Sequence, residues 1–389
     1  MKRSTFAMVA MIAVAAMVGV FADSSPAEFV DDDTPVPPVG AEGGPLFPLS
    51  SGELATWISG RRIFDRDFHS EDGIGFPDFN GDSCRGCHQD PAIGGAGGLD
   101  LNVSRFAFDN GGAGPFTNLP GGQLNHRFRR PDTPGREDPP KNADVFEQRQ
   151  APSILGLGLI ELVPESEILA NADPNDANGD GVFGYARFIN INGVDELGRF
   201  GWKAGVPLLA DFSNDAMSNE LGITIPDASR GFGFDTDADG FPDPEVSLSE
   251  IQDLSFFMSN LAAPPRGGAT SPLVANGEAL FSQVGCDLCH VPMLNSSVGP
   301  IFPYSNFLLH NVAPPNFRGM AEPDAPSGFY RTPPLWGISK TAPYMHDGSS
   351  ETLMDAIFAH RGEATSANAM FNELSAGEKT ELLAFLNDL

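Results

Sequence analysis

The sequence predicts a mainly α-helical fold in two tandem halves, padded by long Gly/Pro-rich loops. Three observations predict it. The only four cysteines fall in two copies of C-x-x-C-H: Cys84, Cys87 and His88 in "GDSCRGCHQD", and Cys286, Cys289 and His290 in "VGCDLCHVPM". Each copy stands between one helix signal before it and another after it. Glycine and proline, 44 and 34 of 389 residues, fill the stretches between, where regular elements propagate poorly.

The elements follow in order. "MKRSTFAMVAMIAVAAMVGVFADSS" has a charged start at Lys2 and Arg3, a short apolar run, and a cleavage site at Val20-Phe21-Ala22. Residues 1–22 therefore read as a secretory signal peptide, so the mature chain is expected outside the cytoplasm, in the periplasm or, as alternatives, extracellular or surface-bound. No other stretch is long and apolar enough to span a bilayer. Residues 23–48, rich in Asp and Pro, read as a disordered lead-in.

The first half, 49–263, opens with "SSGELATWISGRRIFDRDF". Ser50 and Glu53 make a capping box, and Leu54, Trp57, Ile58 and Arg61 keep helical spacing. It closes with "SLSEIQDLSFFMSNLAAPP", where Ser247 and Glu250 form the box. Ile251, Leu254, Phe257, Met258 and Leu261 supply the apolar face, and Pro264-Pro265 stops the helix. The second half, 264–389, repeats the plan. "NGEALFSQVG" leads Leu280 and Phe281 into Cys286, and "SAGEKTELLAFLNDL" closes the chain with a Ser375/Glu378 box and Leu382, Leu383, Leu386 and Leu389.

Three chemistries compete for paired cysteines: a disulfide or redox dithiol, a four-cysteine zinc site, and covalent haem attachment. Zinc asks for no histidine after each second cysteine, and a redox dithiol asks for no second copy. Haem attachment uses both features: two thiols add to the porphyrin vinyl groups, and the adjacent histidine ligates the iron. Two covalently bound c-type haems are the expected cofactors, and the layout is that of two cytochrome-c-like domains in tandem.

Two acidic loops lie within the first half. "DANGDG" alternates Asp176, Asn178 and Asp180 before Gly181, and "DTDADGFPD" alternates Asp235, Asp237 and Asp239 before Gly240, with Asp243 following. Alternating oxygen donors closed by a turn glycine suit Ca²⁺, although Arg187 and Val246 stand where an EF-hand has its bidentate glutamate. The alternative is an Asp/Asn/Gly turn without metal. A net charge of −29, more negative still without Lys2 and Arg3, disfavours nucleic acid and anionic membranes. It suits a small basic redox protein as partner.

Four segments carry a family resemblance: "QRQAPSILGLGLIELVPESEIL", "DPNDANGDGVFGYARF", "LGRFGWKAGVPLL" and "YRTPPLWGISKTAPYMHDGSSETLMDAIFAHRGEA". Over roughly residues 50–389 the chain resembles the bacterial di-haem oxidoreductases. The last segment is also similar to the di-haem cytochrome c peroxidases and the di-haem maturase of methylamine dehydrogenase. The resemblance implies peroxide chemistry at the N-terminal haem and electron relay through the C-terminal one.

It further implies a second axial ligand fourteen residues after His346, which is His360, with Met293, Met320 and Met345 as rivals. "SETLMDAIFAH" reads as a helix delivering His360 from its last turn. At the first haem, the position sixteen after His88 is Ser104 rather than histidine, so the sixth site is expected open, with His126 and His69 as substitutes.

Splitting an O–O bond needs a group that moves a proton between the two oxygens. Glu161, after the apolar run "ILGLGLI", is the candidate, while Glu165 and Glu167 suit the first turn of the next helix. Arg331 is a candidate for a haem propionate. Trp202 and Trp336 are core residues by default. A pure electron carrier and a haem-based sensing module are the rival functions.

Overall fold

The computed structural model describes residues 29–31, 34–75, 78–119, 123–130, 139–268 and 270–389. The expected signal peptide lies outside them. Among the described residues no helix is long and apolar enough to cross a membrane.

The capping boxes form as the sequence implies. Helix α1 (Ser51–Asp65) begins at Ser50, whose hydroxyl accepts from Glu53 N–H while the Glu53 carboxylate accepts from Ser50 N–H. The first motif follows on the short helix α2 (Cys84–Cys87). The chain continues through α3 (Leu157–Glu161), α4 (Glu165–Leu169) and α5 (Leu209–Leu221). The half closes with α6 (Leu248–Ser259), boxed by Ser247 and Glu250. In the second half α7 (Pro272–Gln283) precedes the second motif, and α8 (Leu353–Ala359) and α9 (Thr365–Glu373) follow it. The last is α10 (Ala376–Leu386), boxed by Ser375 and Glu378.

Each half is organised by one helix crossing. A Cβ on Gly60 of α1 would lie 2.0 Å from the Asp253 carbonyl oxygen and 2.7 Å from Phe257 Cβ of α6; a Cβ on Gly277 of α7 would lie 2.0 Å from the Glu381 oxygen and 2.7 Å from Phe385 Cβ of α10. Only glycine allows either approach. One turn on, Phe64 packs at 5.4 Å from Phe257 and 6.4 Å from the His88 ring, and Phe281 packs at 5.3 Å from Phe385 and 6.4 Å from the His290 ring. The crossing thus orients a phenylalanine against each motif histidine.

The expectation of a mainly α fold is overturned: the chain is 32% helical and 15% strand. The strands lie where loops were expected. Val103–Ala107 pairs on one side with Val145–Arg149 and on the other with Leu124–Asn125. Phe188–Ile191 pairs with Val194–Leu197, Leu294–Ser296 with Gly299–Ile301, and Leu309–Asn311 with Phe329–Arg331. These pieces are short because the glycines and prolines around them cut each ladder after a few residues. They satisfy backbone groups that loops at such depth would leave unpaired.

Residues 34–48, expected to be disordered, are also seated. Leu46 N–H donates to the Asn260 carbonyl and Ala262 N–H to that of Gly44, while Pro45 bridges Leu261. Backbone pairing, which composition does not report, holds this stretch.

The larger core takes Trp57, Phe64, Leu254 and Phe257 from the first helix pair. It also takes Leu294, Ile301, Phe307, Leu308 and Trp336 from beyond residue 264. The smaller core is built on α7, α9 and α10 by Leu280, Phe281, Phe371, Leu382 and Phe385.

Gly60→Val and Gly277→Val should each cost about 1–3 kcal/mol or more by overpacking. Gly52→Ala, an exposed position with open space around it, should be neutral or slightly stabilising. Urea midpoints of the three variants test this, and an unshifted Gly277→Val midpoint contradicts the crossing.

Candidate functional site

One cavity of about 1150 Å³ takes its walls from both motifs. It exceeds the ~300–1,000 Å³ of an ordinary ligand pocket, as a site for two large flat groups must. Cys84, Cys87 and His88 line one part; Cys286, Cys289, His290 and His360 line another.

The three histidines share one arrangement. His88 Nδ1–H donates to the Gly95 carbonyl at 3.2 Å, His290 Nδ1–H to Tyr304 at 2.9 Å and His360 Nδ1–H to Ala356 at 2.7 Å. A carbonyl only accepts, so each Nδ1 carries the proton and each Nε2 keeps its lone pair. That is the tautomer and orientation of a metal-ligating histidine held from behind. Burial lowers the pKa of all three, that of His290 to about 3, so they are neutral. His360 caps the end of α8, as the sequence implied.

The four thiols sit in two separate places. Among the described residues, the one group of metal-ligating side chains converging within 4.8 Å contains no cysteine, so the geometry does not fit a four-cysteine zinc site. Burial pushes Cys84, Cys286 and Cys289 up to about 12 and raises Cys87, leaving protonated thiols facing the cavity.

The other candidates separate. Met345 lines the cavity; Met320 is fully buried elsewhere and Met293 is exposed. His126 lines the first part but holds the Asn219 carbonyl through Nε2 at 2.8 Å, His69 is exposed, and Ser104 sits in a strand accepting from Gln148. Trp202 and Trp336 line the cavity, their indole N–H groups donating to the Gln150 and Leu155 carbonyls. Arg331 is buried rather than superficial.

Glu161 is placed differently from expectation. Its carboxylate accepts from Leu209 N–H at 2.8 Å and from the Ser259 hydroxyl at 3.2 Å, away from the cavity walls. Helix α5 starts at Leu208, which has no side chain to cap it, and Glu161 supplies the missing acceptor.

Two carboxyls on α5 that sequence reasoning passed over line the first part instead. Burial raises the pKa of Glu220, which holds the Asn80 amide at 2.5 Å, and of Asp215, which holds Asn219 at 2.9 Å. The signal for Glu220 was the i, i+4 stripe of Phe212, Ala216 and Glu220 along the helix face; Asp215 adjoins that stripe.

Also missed was a buried charged cluster. Glu322 accepts from Arg105 (2.8 Å), Arg149 (3.0 Å) and Arg187 (2.8 Å). Glu147 accepts from Arg149 Nε at 2.7 Å, from Met320 N–H and from the Tyr330 hydroxyl. On the second side, buried His310 donates to Glu363 at 2.8 Å and accepts from Asn306.

In the first acidic loop the oxygens are spent on the loop itself. Asp176 accepts from Gly181 N–H, Asn178 from Asp180 N–H and Asp180 from Val182 N–H. In the second, Asp237, Asp239 and Glu245 bring carboxylate oxygens within 4.8 Å of one another, whereas Asp235 and Asp243 are exposed and outside that group. Asp239 is also paired with Arg130 at 2.9 Å.

A single cavity lined by both C-x-x-C-H motifs suits a chain that holds two flat cofactors. The family model "Di-haem oxidoreductase, putative peroxidase" matches residues 141–389, more than half of the chain. The chain belongs to this family, whose members carry two haems. No curated protein matches it.

Among solved structures it is similar to a MauG-like protein associated with microbial copper homeostasis (20% identity, 90% of this chain and 92% of that one, TM-score 0.43). It is also similar to the diheme peroxidase BthA of Burkholderia thailandensis (16%, 92% and 93%, 0.45) and to hydrazine synthase of Kuenenia stuttgartiensis (14%, 99% and 100%, 0.44). At TM-scores below 0.5 these likenesses add nothing to the family match.

The charged cluster makes a pH prediction. Burial alone would raise the Glu322 carboxyl, but Arg149, Arg105 and Arg187 hold it far below its ordinary value. A depressed folded-state pKa stabilises above the unfolded value, near 4.3, and the benefit is lost as pH falls toward the folded one. Glu322→Gln should therefore cost about 3–5 kcal/mol at pH 7 and flatten the acid limb of the stability curve. Urea titrations between pH 7 and pH 3 read both effects; an unchanged acid limb contradicts the assignment.

Proposed function

We propose that the chain is an exported di-haem c-type oxidoreductase of the peroxidase kind. Cys84/Cys87 and Cys286/Cys289 form the thioether bonds, and His88 and His290 are the proximal ligands. His360 is the second ligand at the C-terminal site. The observation that carries this reading is the shared arrangement of the three histidines, each fixed through Nδ1 to a backbone carbonyl on the wall of one cavity. A c-type haem, when bound, supplies an iron that can take peroxide oxygen and pass electrons.

The chain's own residues do the rest. The carbonyls of Gly95, Tyr304 and Ala356 fix ring planes and tautomers, and the apolar walls exclude water. Glu220, with a pKa raised by burial, holds or returns a proton on the first side, the role first sought for Glu161. Peroxide is the proposed oxidant and a small basic redox protein the proposed partner. Export rests on the Lys2-Arg3 start and the apolar run that follows.

Haem content should be two per chain by pyridine haemochrome assay, and Cys87→Ser or Cys289→Ser should leave one. His360→Ala should turn the C-terminal haem high-spin, while His126→Ala should leave it low-spin. Unchanged content in either cysteine variant refutes attachment, and a methionine-to-iron band in the parent reassigns the ligand to Met345.

Stopped-flow mixing with peroxide tests the chemistry. Glu220→Gln should slow the reaction by roughly a hundredfold, the scale for losing a general acid–base group, and Glu161→Gln should leave it unchanged. The opposite ranking restores Glu161, and an inert parent protein favours the electron carrier.

We also infer a Ca²⁺ site in the second acidic loop, with Glu245 joining Asp237 and Asp239. Asp237 Oδ2 and Glu245 Oε1 are buried without a hydrogen-bond partner. Burial and then the two aspartates push Glu245 up to about 7 against its bonds from Thr224. Chelator should lower the melting temperature of the parent and leave that of Glu245→Gln unmoved; equal responses remove the site.

A further inference from the structure

The cavity wall between the two motifs carries more positive charge than the protein neutralises. Arg105 and Arg149 reach it from the three-stranded sheet, Lys203 from the loop before α5, and Arg331 from the hairpin after the second motif. Lys203 and Arg331 are buried and Arg105 and Arg149 largely so; with Arg187 behind them, Arg105, Arg149 and Lys203 share Glu147 and Glu322, while Arg331 has no carboxylate partner among the described residues. Both carboxylates are fully engaged, by Arg149, Met320 and Tyr330 and by three arginines respectively.

Arg105 Nε and Arg149 Nη2 are buried with no acceptor among the described residues. Arg331 reaches only the carbonyls of Gly201 (3.0 Å) and Thr332 (3.4 Å), and burial alone pulls it down to about 10. Lys203 reaches only those of Pro326 (2.9 Å) and Phe329 (2.8 Å), over the Tyr330 ring. Burial, then the Arg149 charge, pull it down to about 7. Two other carboxyls on the cavity wall, Asp215 and Glu220, feel Arg105, yet burial pushes both toward the neutral form.

Buried cations without carboxylates are costly, and guanidinium forks pair best with planar carboxylates. We propose that Arg105, Arg149, Lys203 and Arg331 form a carboxylate clamp that takes haem propionates at the seam between the two sites. This rests on the di-haem reading above and extends it. Arg105 and Arg149 belong to the first half; Arg331, and the carbonyls that hold Lys203, belong to the second. One clamp therefore serves both sites.

Holoprotein is titrated spectroelectrochemically as parent, Arg149→Gln, Lys203→Met, Arg331→Gln and the surface control Arg318→Gln. Removing a cation beside a haem disfavours its reduced form. Each clamp variant should therefore lower at least one midpoint potential by about tenfold in the reduction equilibrium, about 59 mV for one electron, with Arg318→Gln unmoved. Arg149→Lys keeps the charge and should stay near the parent potentials, which covers the case of a neutral variant that does not fold.

Two haems per chain with parent potentials in all clamp variants overturns the clamp and leaves the di-haem reading standing; absence of haem from the parent overturns that reading itself. Parent potentials that follow added inorganic phosphate assign the wall to a free anion and also overturn the clamp.

Discussion

The contact on which the rest depends is the approach of two helix backbones at a glycine, made once in each half. At 2.0 Å from a carbonyl oxygen there is no room for a Cβ on Gly60 or Gly277. That closeness brings Phe64 and Phe281 against His88 and His290 at matching distances. A wider crossing would draw both phenylalanine rings away from the histidines they pack against. Backbone proximity, set by the smallest residue, thereby bears on a ring that lies far along the chain from the glycine itself.

Parts of this were legible in the sequence for physical reasons. A capping box is a local device whose two partners lie three residues apart, and the boxes at Ser50, Ser247 and Ser375 formed as read. His360 was placed by resemblance and by the helix before it, and it does end that helix on the cavity wall. The glycine crossings went unread, although "GRRIF" and "GEALF" both set a glycine four residues before a phenylalanine.

Other parts were not legible. In "VFEQR" the alternation of a strand is present but inverted, with Glu147 buried and Phe146 62% exposed, so no apolar face announces it. Arg105, Glu147, Arg149, Lys203 and Glu322 are scattered along the chain, and charged residues are assigned to the surface unless a partner is visible. Glu161 misled because the apolar run before it implied burial beside the site. The half-buried place it occupies is the uncapped start of α5, a need that arises only in three dimensions. Glu245 lies just beyond the loop pattern and enters through the fold.

The larger core is stitched from both sides of residue 264. Leu294, Ile301, Phe307, Leu308 and Trp336 pack into it, Trp336 donates to Leu155, and Asn295 bonds Glu167. Rigid-body swinging of one half against the other is the default for modular chains, but an apolar seam of this kind suppresses it. On the proposed reading the two irons keep one separation at all times. Electron transfer between two groups held there would then be set by a fixed distance and by driving force rather than by a conformational gate.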